Sequence, residues 1–317
     1  MSDAREAAVP RVGRAGEREV SRLAADGVLV GVTLVWGSSF IVVNRVLESA
    51  PPLAFLFWRF AIAALLLLPF LRRRHARPGL LRDGGVLGLL LASGMSLQVL
   101  GQLETTASKA AFLTGLSVVL TPFAAFLRTR KLPSLENGIG VALASAGFVL
   151  LTLPAEGGPI NRGDLLVFCC GIVFAFYIVE MAERSPSHAT IPLTAVQLLV
   201  VACAAGLLSL LFRSPALSSF HAAAAEARPI VWQGAFLWSV LYLASLGTVG
   251  TFFGQTWAQR HMTATHAAIL FALEPVWAAL LAARLLDERL GARGLAGGAL
   301  VLAGIVIAEL RLRRRGA

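Results

Sequence analysis

One acid and one base stand deep inside apolar stretches of this sequence, and two glutamine pairs repeat each other's spacing. Glu274 lies about ten residues into the run that begins near Ala264, roughly 15 Å deep at 1.5 Å per residue. An ionised carboxylate at that depth costs on the order of 3 kcal/mol, which disfavours a lipid-facing position and predicts an interior one. There the carboxyl can take up a coupling proton, bind a cationic group on a substrate, or stay protonated and hydrogen-bond a neighbouring helix. Pro275 follows it and has no N–H for the Phe271 carbonyl, so a helix kink is expected that leaves this oxygen free. Arg59 lies about six residues inside its own run, roughly 9 Å deep. Either it snorkels to the nearer interface, or it binds a substrate carboxylate or phosphate, or it pairs with an intramembrane acid such as Glu274.

Gln98 and Gln102 are one helical turn apart and share a face, as do Gln255 and Gln259. The pairs read as gating or binding positions, or as hydrogen-bonded packing near helix ends. In the first apolar run, Trp36, Gly37, Ser38, Ser39 and Asn44 make an unusually soft segment. Small residues thin the helix wall there, and Trp36 adds a flat face with one N–H donor. Trp36, Ser39 and Asn44 are candidates to line a cavity, with a tight helix crossing as the alternative. Tyr177 joins them because an offset of 138 sets it on Ser39.

The elements that must position these groups are membrane helices. The chain has 317 residues, is 57% hydrophobic and 15% charged, and has a mean hydropathy of +0.75, which is membrane composition. Its net charge of +10 comes from short basic runs between long apolar stretches, which excludes a nucleic-acid groove. Cys169, Cys170 and Cys203 lie inside apolar runs without metal-site spacing and read as small packing residues. Spans are expected at 28–46, 53–71, 84–103, 107–127, 135–153, 164–182, 191–212, 235–257, 264–286 and 291–310. Continuous rather than alternating apolar runs exclude a β-barrel.

Residues 255–308 repeat residues 98–151 at an offset of 157, with 16 identities over 54 positions. Both glutamine pairs superpose, as do Gly140 on Gly297 and Ala146-Gly147 on Ala303-Gly304. With the N-terminus inside, the first half places 13 lysines and arginines on inner segments and one, Lys109, outside. Both termini are therefore expected in the cytoplasm. Each half holds five spans, an odd number, so the copies enter the membrane from opposite sides. The fold expected is all-α and integral to the membrane, with ten transmembrane helices in two inverted five-helix repeats. Residues 1–27 are expected to form a disordered cytoplasmic arm, with a helix from near Ser21 feeding the first span as the alternative; 28–153 form the first repeat, 164–310 the second, and 311–317 a basic cytoplasmic tail.

The run Trp36-Gly37-Ser38-Ser39-Phe40, then Trp58-Arg59-Phe60, the Ala107–Leu113 opening of the fourth span, and Leu273-Glu274-Pro275-Val276 resemble the drug/metabolite transporter superfamily, its EamA-type permeases above all. The resemblance covers about residues 28–310. It implies two inverted five-helix repeats around a central cavity, with helices 5 and 10 outside it, and transport of small metabolites, often as export. Where family members often carry an acid in the loop after helix 4, this chain has Arg128-Thr129-Arg130-Lys131; its second copy has Asp287-Glu288.

The function expected is a secondary transporter, an exporter of small metabolites such as amino acids or related compounds, working by alternating access in a bacterial inner membrane. An integral-membrane enzyme is the first rival; HExxH, Gly-x-Ser-x-Gly and Asp-rich metal motifs do not occur in the sequence. A non-transporting channel or scaffold subunit is the second. No P-loop occurs either, so coupling falls to an ion gradient or to the substrate gradient itself. No cofactor or metal is expected. Partners are a small-molecule substrate and the bilayer, with a coupling proton and a homodimer as candidates.

Overall fold

A computed structural model of the chain describes residues 15–70, 77–105, 110, 113–130, 135–152, 161–214, 216, 221–274, 276–277, 280–281 and 292–314. Its helices are α1 (Ala15–Ser49), α2 (Pro52–Leu67), α3 (Leu80–Gly101), α4 (Ser117–Thr129), α5 (Leu135–Thr152), α6 (Arg162–Arg184), α7 (Thr190–Phe212), α8 (His221–Glu226), α9 (Gly234–Ala244), α10 (Thr251–Gln259), α11 (Ala264–Phe271) and α12 (Ala292–Arg314). No strand occurs among the described residues. α9 and α10 form one rod through a π-helical turn at Ser245–Gly250. α1 starts at Ala15, inside the segment expected to be an unstructured arm.

Six helices are long and apolar enough to cross a membrane: Arg22–Glu48, Pro52–Phe70, Leu80–Gly101, Arg162–Ser187, Thr190–Phe212 and Phe236–Gln259. Leu113–Thr129, Gly138–Gly147 and Leu295–Gly304 are shorter apolar helices. α11 lies where the ninth span was expected, and the described residues therefore fall short of ten full spans. Pro275, with its expected kink, lies outside the described residues.

Helix direction follows from which residues meet. Along α5 and α12 the numbering runs in opposite senses, so the two are antiparallel. A Cβ at Gly147 would stand 2.5 Å from the Gly297 oxygen and 2.7 Å from the Val301 nitrogen. One at Gly304 would stand 2.6 Å from the Gly140 oxygen and 2.9 Å from the Ala144 nitrogen. Adding 157 to Gly140, Ala144 and Gly147 gives Gly297, Val301 and Gly304, so the two copies meet through the same surface. α3 and α6 are also antiparallel, with Gly101 on Gly163 and Val167, and Gly94 on Phe174. α1 and α10 repeat that arrangement: Gly254 faces Val28 and Val32, and the tilted rings of Trp36 and Phe252 meet at 5.6 Å.

Polar contacts close the two ends of the bundle. At one end Asp83 on α3 binds Arg184 (2.5 Å) and His188 (2.8 Å), while Arg128 on α4 binds Glu180 (2.8 Å) and Glu183 (3.2 Å) on α6. Arg260 meets Thr190 there at 3.1 Å, and His266 meets Asp26 at 2.9 Å. His266 is buried there. At the other end Asn161 and Asp164 cap α6 in a capping box, and the Thr105 hydroxyl donates to Asp164. α2 opens there on Pro51-Pro52 without a cap of its own. Its Leu53 and Ala54 N–H groups donate instead, both at 2.9 Å, to the Glu226 carboxylate of α8, which also accepts from Ser209 at 2.5 Å. A carboxylate on a helix N-terminus satisfies orphan donors and complements the helix dipole.

Candidate functional site

Between the two copies lies a cavity of about 1020 Å³, its open mouth included. Trp36 and Ser39 from α1, Arg59 from α2, Gln98 and Gln102 on and next to α3, Tyr177 from α6, Gln255 from α10, and Glu274 beyond α11 all line it. One residue expected there does not: Gln259 is buried below its wall; the side chain of Asn44, on α1, lies outside the described atoms. Much of the remaining wall is apolar and aromatic, from Met95, Phe174, Phe252 and Phe271. Such a surface suits an amphipathic ligand held by a few polar groups.

Arg59 does not snorkel. It is 5% exposed, its Nε donates to Thr248 Oγ1 at 2.7 Å, and its Nη2 donates to the Gly247 carbonyl at 2.9 Å. Both acceptors belong to the π-turn. In a π-turn the hydrogen-bond register slips by one residue, which exposes polar groups that an α-helix would use. Here Thr248 Oγ1 donates back to the Leu243 carbonyl at 2.7 Å while accepting from Arg59. Ser39 Oγ lies close by, 3.4 Å from where a Gly247 Cβ would stand. No acid pairs with Arg59 among the described residues, and no hydrogen bond or ion pair joins it to Glu274. The cavity thus presents a fixed cation from the first half and a carboxyl from the second.

Polar groups repeat across the two halves. Tyr177, set on Ser39 by the offset of 138, donates to Gln197 Oε1 at 2.8 Å, and Gln197 occupies the Arg59 position at the same offset. Glu274 corresponds to Ser117 at the offset of 157, and both line the cavity. From the first two spans of each half, Ser39, Arg59 and Tyr177 line the cavity, and Gln197 stands behind Tyr177. Only the first half brings a charge there, and only the second brings an acid from its fourth.

The glutamines differ between copies. Gln98 Nε2 donates to Thr114 Oγ1 at 3.2 Å, whereas Gln255 Nε2 donates to Gln259 Oε1 at 2.9 Å and Gln259 Nε2 to the Ile178 carbonyl at 3.1 Å. The Oε1 atoms of Gln102 and Gln255 are buried and have no partner among the described residues. Sequence reading overlooked Gln197, Thr114, Gly247 and Thr248. The first was findable, since the offset that singled out Tyr177 also sets Gln197 on Arg59.

Comparison with known proteins gives a consistent picture. A profile of the EamA-like transporter family matches residues 23–153 and again 161–310. An uncharacterized transporter of Archaeoglobus fulgidus is 30% identical over 297 residues, 94% of this chain and 89% of that protein. The uncharacterized inner membrane transporter YedA of Escherichia coli K12 is 31% identical over 161 residues, 47% of this chain and 50% of YedA. A solved crystal structure shares the fold with a TM-score of 0.71 at 18% identity, over 94% of this chain and 99% of that one.

Proposed function

The chain belongs to the EamA-like transporter family of multi-pass membrane proteins, and from that premise we propose that it is a secondary transporter of small polar or amphipathic metabolites, amino acids or related compounds among them. Ten spans in two inverted five-helix repeats carry the cycle, with the three shorter apolar helices and the α11 segment completing the six long ones. The antiparallel, self-matching contact of α5 with α12 supports the inversion. Net flux is export, by alternating access. The Asp83 end faces the cytoplasm of a bacterial inner membrane together with both termini, because the basic loops of the first half gather there.

The observation that carries this reading is the convergence of candidate groups from both halves on one cavity. Arg59 binds the anionic part of a substrate. Glu274 takes a coupling proton or meets a cationic substrate group. The aromatic wall of Trp36, Phe174, Phe252 and Phe271 holds the apolar part.

The test starts from an efflux and growth-protection screen of an overexpressing strain against amino acids, their analogues and other small metabolites. Hits are then followed in proteoliposomes. A carrier gives saturable flux and counter-flow driven by unlabelled substrate on the far side. Flux without counter-flow would indicate a channel, and no flux of any panel member would remove the proposed substrate class.

A further inference from the structure

The equivalent glutamines of the two copies are in different states. Gln259, at the end of α10, reaches across to the Ile178 carbonyl on α6 and is fully buried. Gln102 matches it at the offset of 157, yet donates to nothing among the described residues and stands on the cavity wall with its Oε1 unpartnered. The offset of 138 names the acceptor it lacks: Ile178 matches Phe40, whose backbone carbonyl belongs to α1.

The cavity is skewed in the same sense. Val43 and Gln102, each 7% exposed, and Val99, 1% exposed, line it, whereas their equivalents Met181, Thr256 and Gln259 are each 0% exposed and do not. The helix directions put the three open positions toward the Glu226 end and the three sealed ones toward the Asp83 end. At the sealed positions the bond of Gln259 to the Ile178 carbonyl joins α10 to α6, and Gln102 makes no equivalent bond to α1 among the described residues.

We infer that Gln102 and Gln259 are the paired gate residues of the transport cycle. This conformation is open toward the Glu226 end and held shut at the Asp83 end by the clasp of Gln259 on the Ile178 carbonyl. In the alternate conformation the clasp passes to Gln102 on the Phe40 carbonyl and Gln259 is released. The two states are then one structure with its halves exchanged, and each glutamine stabilises the state in which it is buried. The inference rests on the alternating-access reading above.

The experiment needs no substrate. The full-length protein, with Cys169, Cys170 and Cys203 replaced by alanine, carries either Val43→Cys or Met181→Cys. It is labelled with a membrane-impermeant cationic methanethiosulfonate in right-side-out and inside-out vesicles. Val43→Cys is expected to react from the Glu226 face, and Met181→Cys slowly from the Asp83 face. Adding Gln259→Leu should raise Met181→Cys labelling and lower that of Val43→Cys, changing their ratio about fivefold for one net hydrogen bond. Adding Gln102→Leu should change the ratio in the opposite sense by a similar factor. A fold merely loosened by either leucine raises both rates together, which would overturn the gate assignment, as would an unchanged ratio. Were Met181→Cys to stay unreactive from both faces in every variant, alternating access itself would fail. Reactivity at Met181→Cys that ignores both glutamines would leave that reading intact and remove only the gate.

Discussion

Glu274 stands at the cavity with no hydrogen bond or ion pair among the described residues, although it is the one acid there. Burying a carboxyl without partners is tolerable when it can shed its charge or when a ligand supplies the partner. That distinguishes it from Glu226, whose three hydrogen bonds fix it as a structural group. If Glu274 gains and loses a proton during the cycle, flux depends on pH, and a side chain that cannot titrate removes the dependence. In proteoliposomes, Glu274→Gln is expected to lower flux at least tenfold and to flatten its pH profile, a tenfold change being about 1.4 kcal/mol. Wild-type flux with a wild-type profile would show that the carboxyl only packs. Arg59 and Glu274 were legible in the sequence because ionisable groups stand out in hydrocarbon. The cradle of Arg59 was not. Thr248 and Gly247 acquire their role from a one-residue slip in hydrogen-bond register, and a threonine bonding its own backbone looks the same in any helix.

At the scale of the element, the α5–α12 contact depends on two glycines that the repeat makes equivalent. A side chain at either one meets backbone rather than a movable side chain, the nearest atoms being the Gly297 and Gly140 oxygens. The helices must then part, and overpacking of this kind costs about 1–3 kcal/mol. Gly147→Val and Gly304→Val are each expected to lower the melting temperature of the detergent-solubilised protein by several degrees, and by similar amounts. A large fall in only one of them would show that the symmetry of the contact does not extend to its energetics. The Gly84/Gly88 pair likewise lies against Val196 and Val200, so its spacing meant close packing of α3 on α7. The antiparallel sense of α5 and α12 was expected from the odd number of spans. The sharing of Glu226 between α2, α7 and α8 was not readable, because no local pattern marks a helix capped by a distant carboxylate.

For the whole molecule, the end bearing the Asp83–Arg184 and Arg128–Glu180 pairs gathers the basic loops of the first half. With that end in the cytoplasm, a membrane-impermeant thiol reagent added to intact cells should label Arg162→Cys and Arg213→Cys and miss Arg77→Cys; all three positions are exposed. Labelling of Arg77→Cys from outside would invert the topology and, with it, the direction in which the cavity opens. The duplication was visible mainly through Gln98, Gln102 and their copies, since most other matches are the alanines, leucines and glycines common to any membrane chain. What the sequence could not show is that the copies interleave, with α3 packed on α6 and α1 on α10, so that each wall of the cavity is built from both halves.

The carboxylate that caps α2 lies 173 residues beyond Leu53 in the chain. At about 5–20 residues per second, a ribosome needs roughly 9–35 s to supply it after Leu53 has been made. Until then the first amides of the second helix lack the partner that the finished fold gives them. The first repeat is thus completed by a residue of the second, and the two copies that the sequence shows share one helix cap.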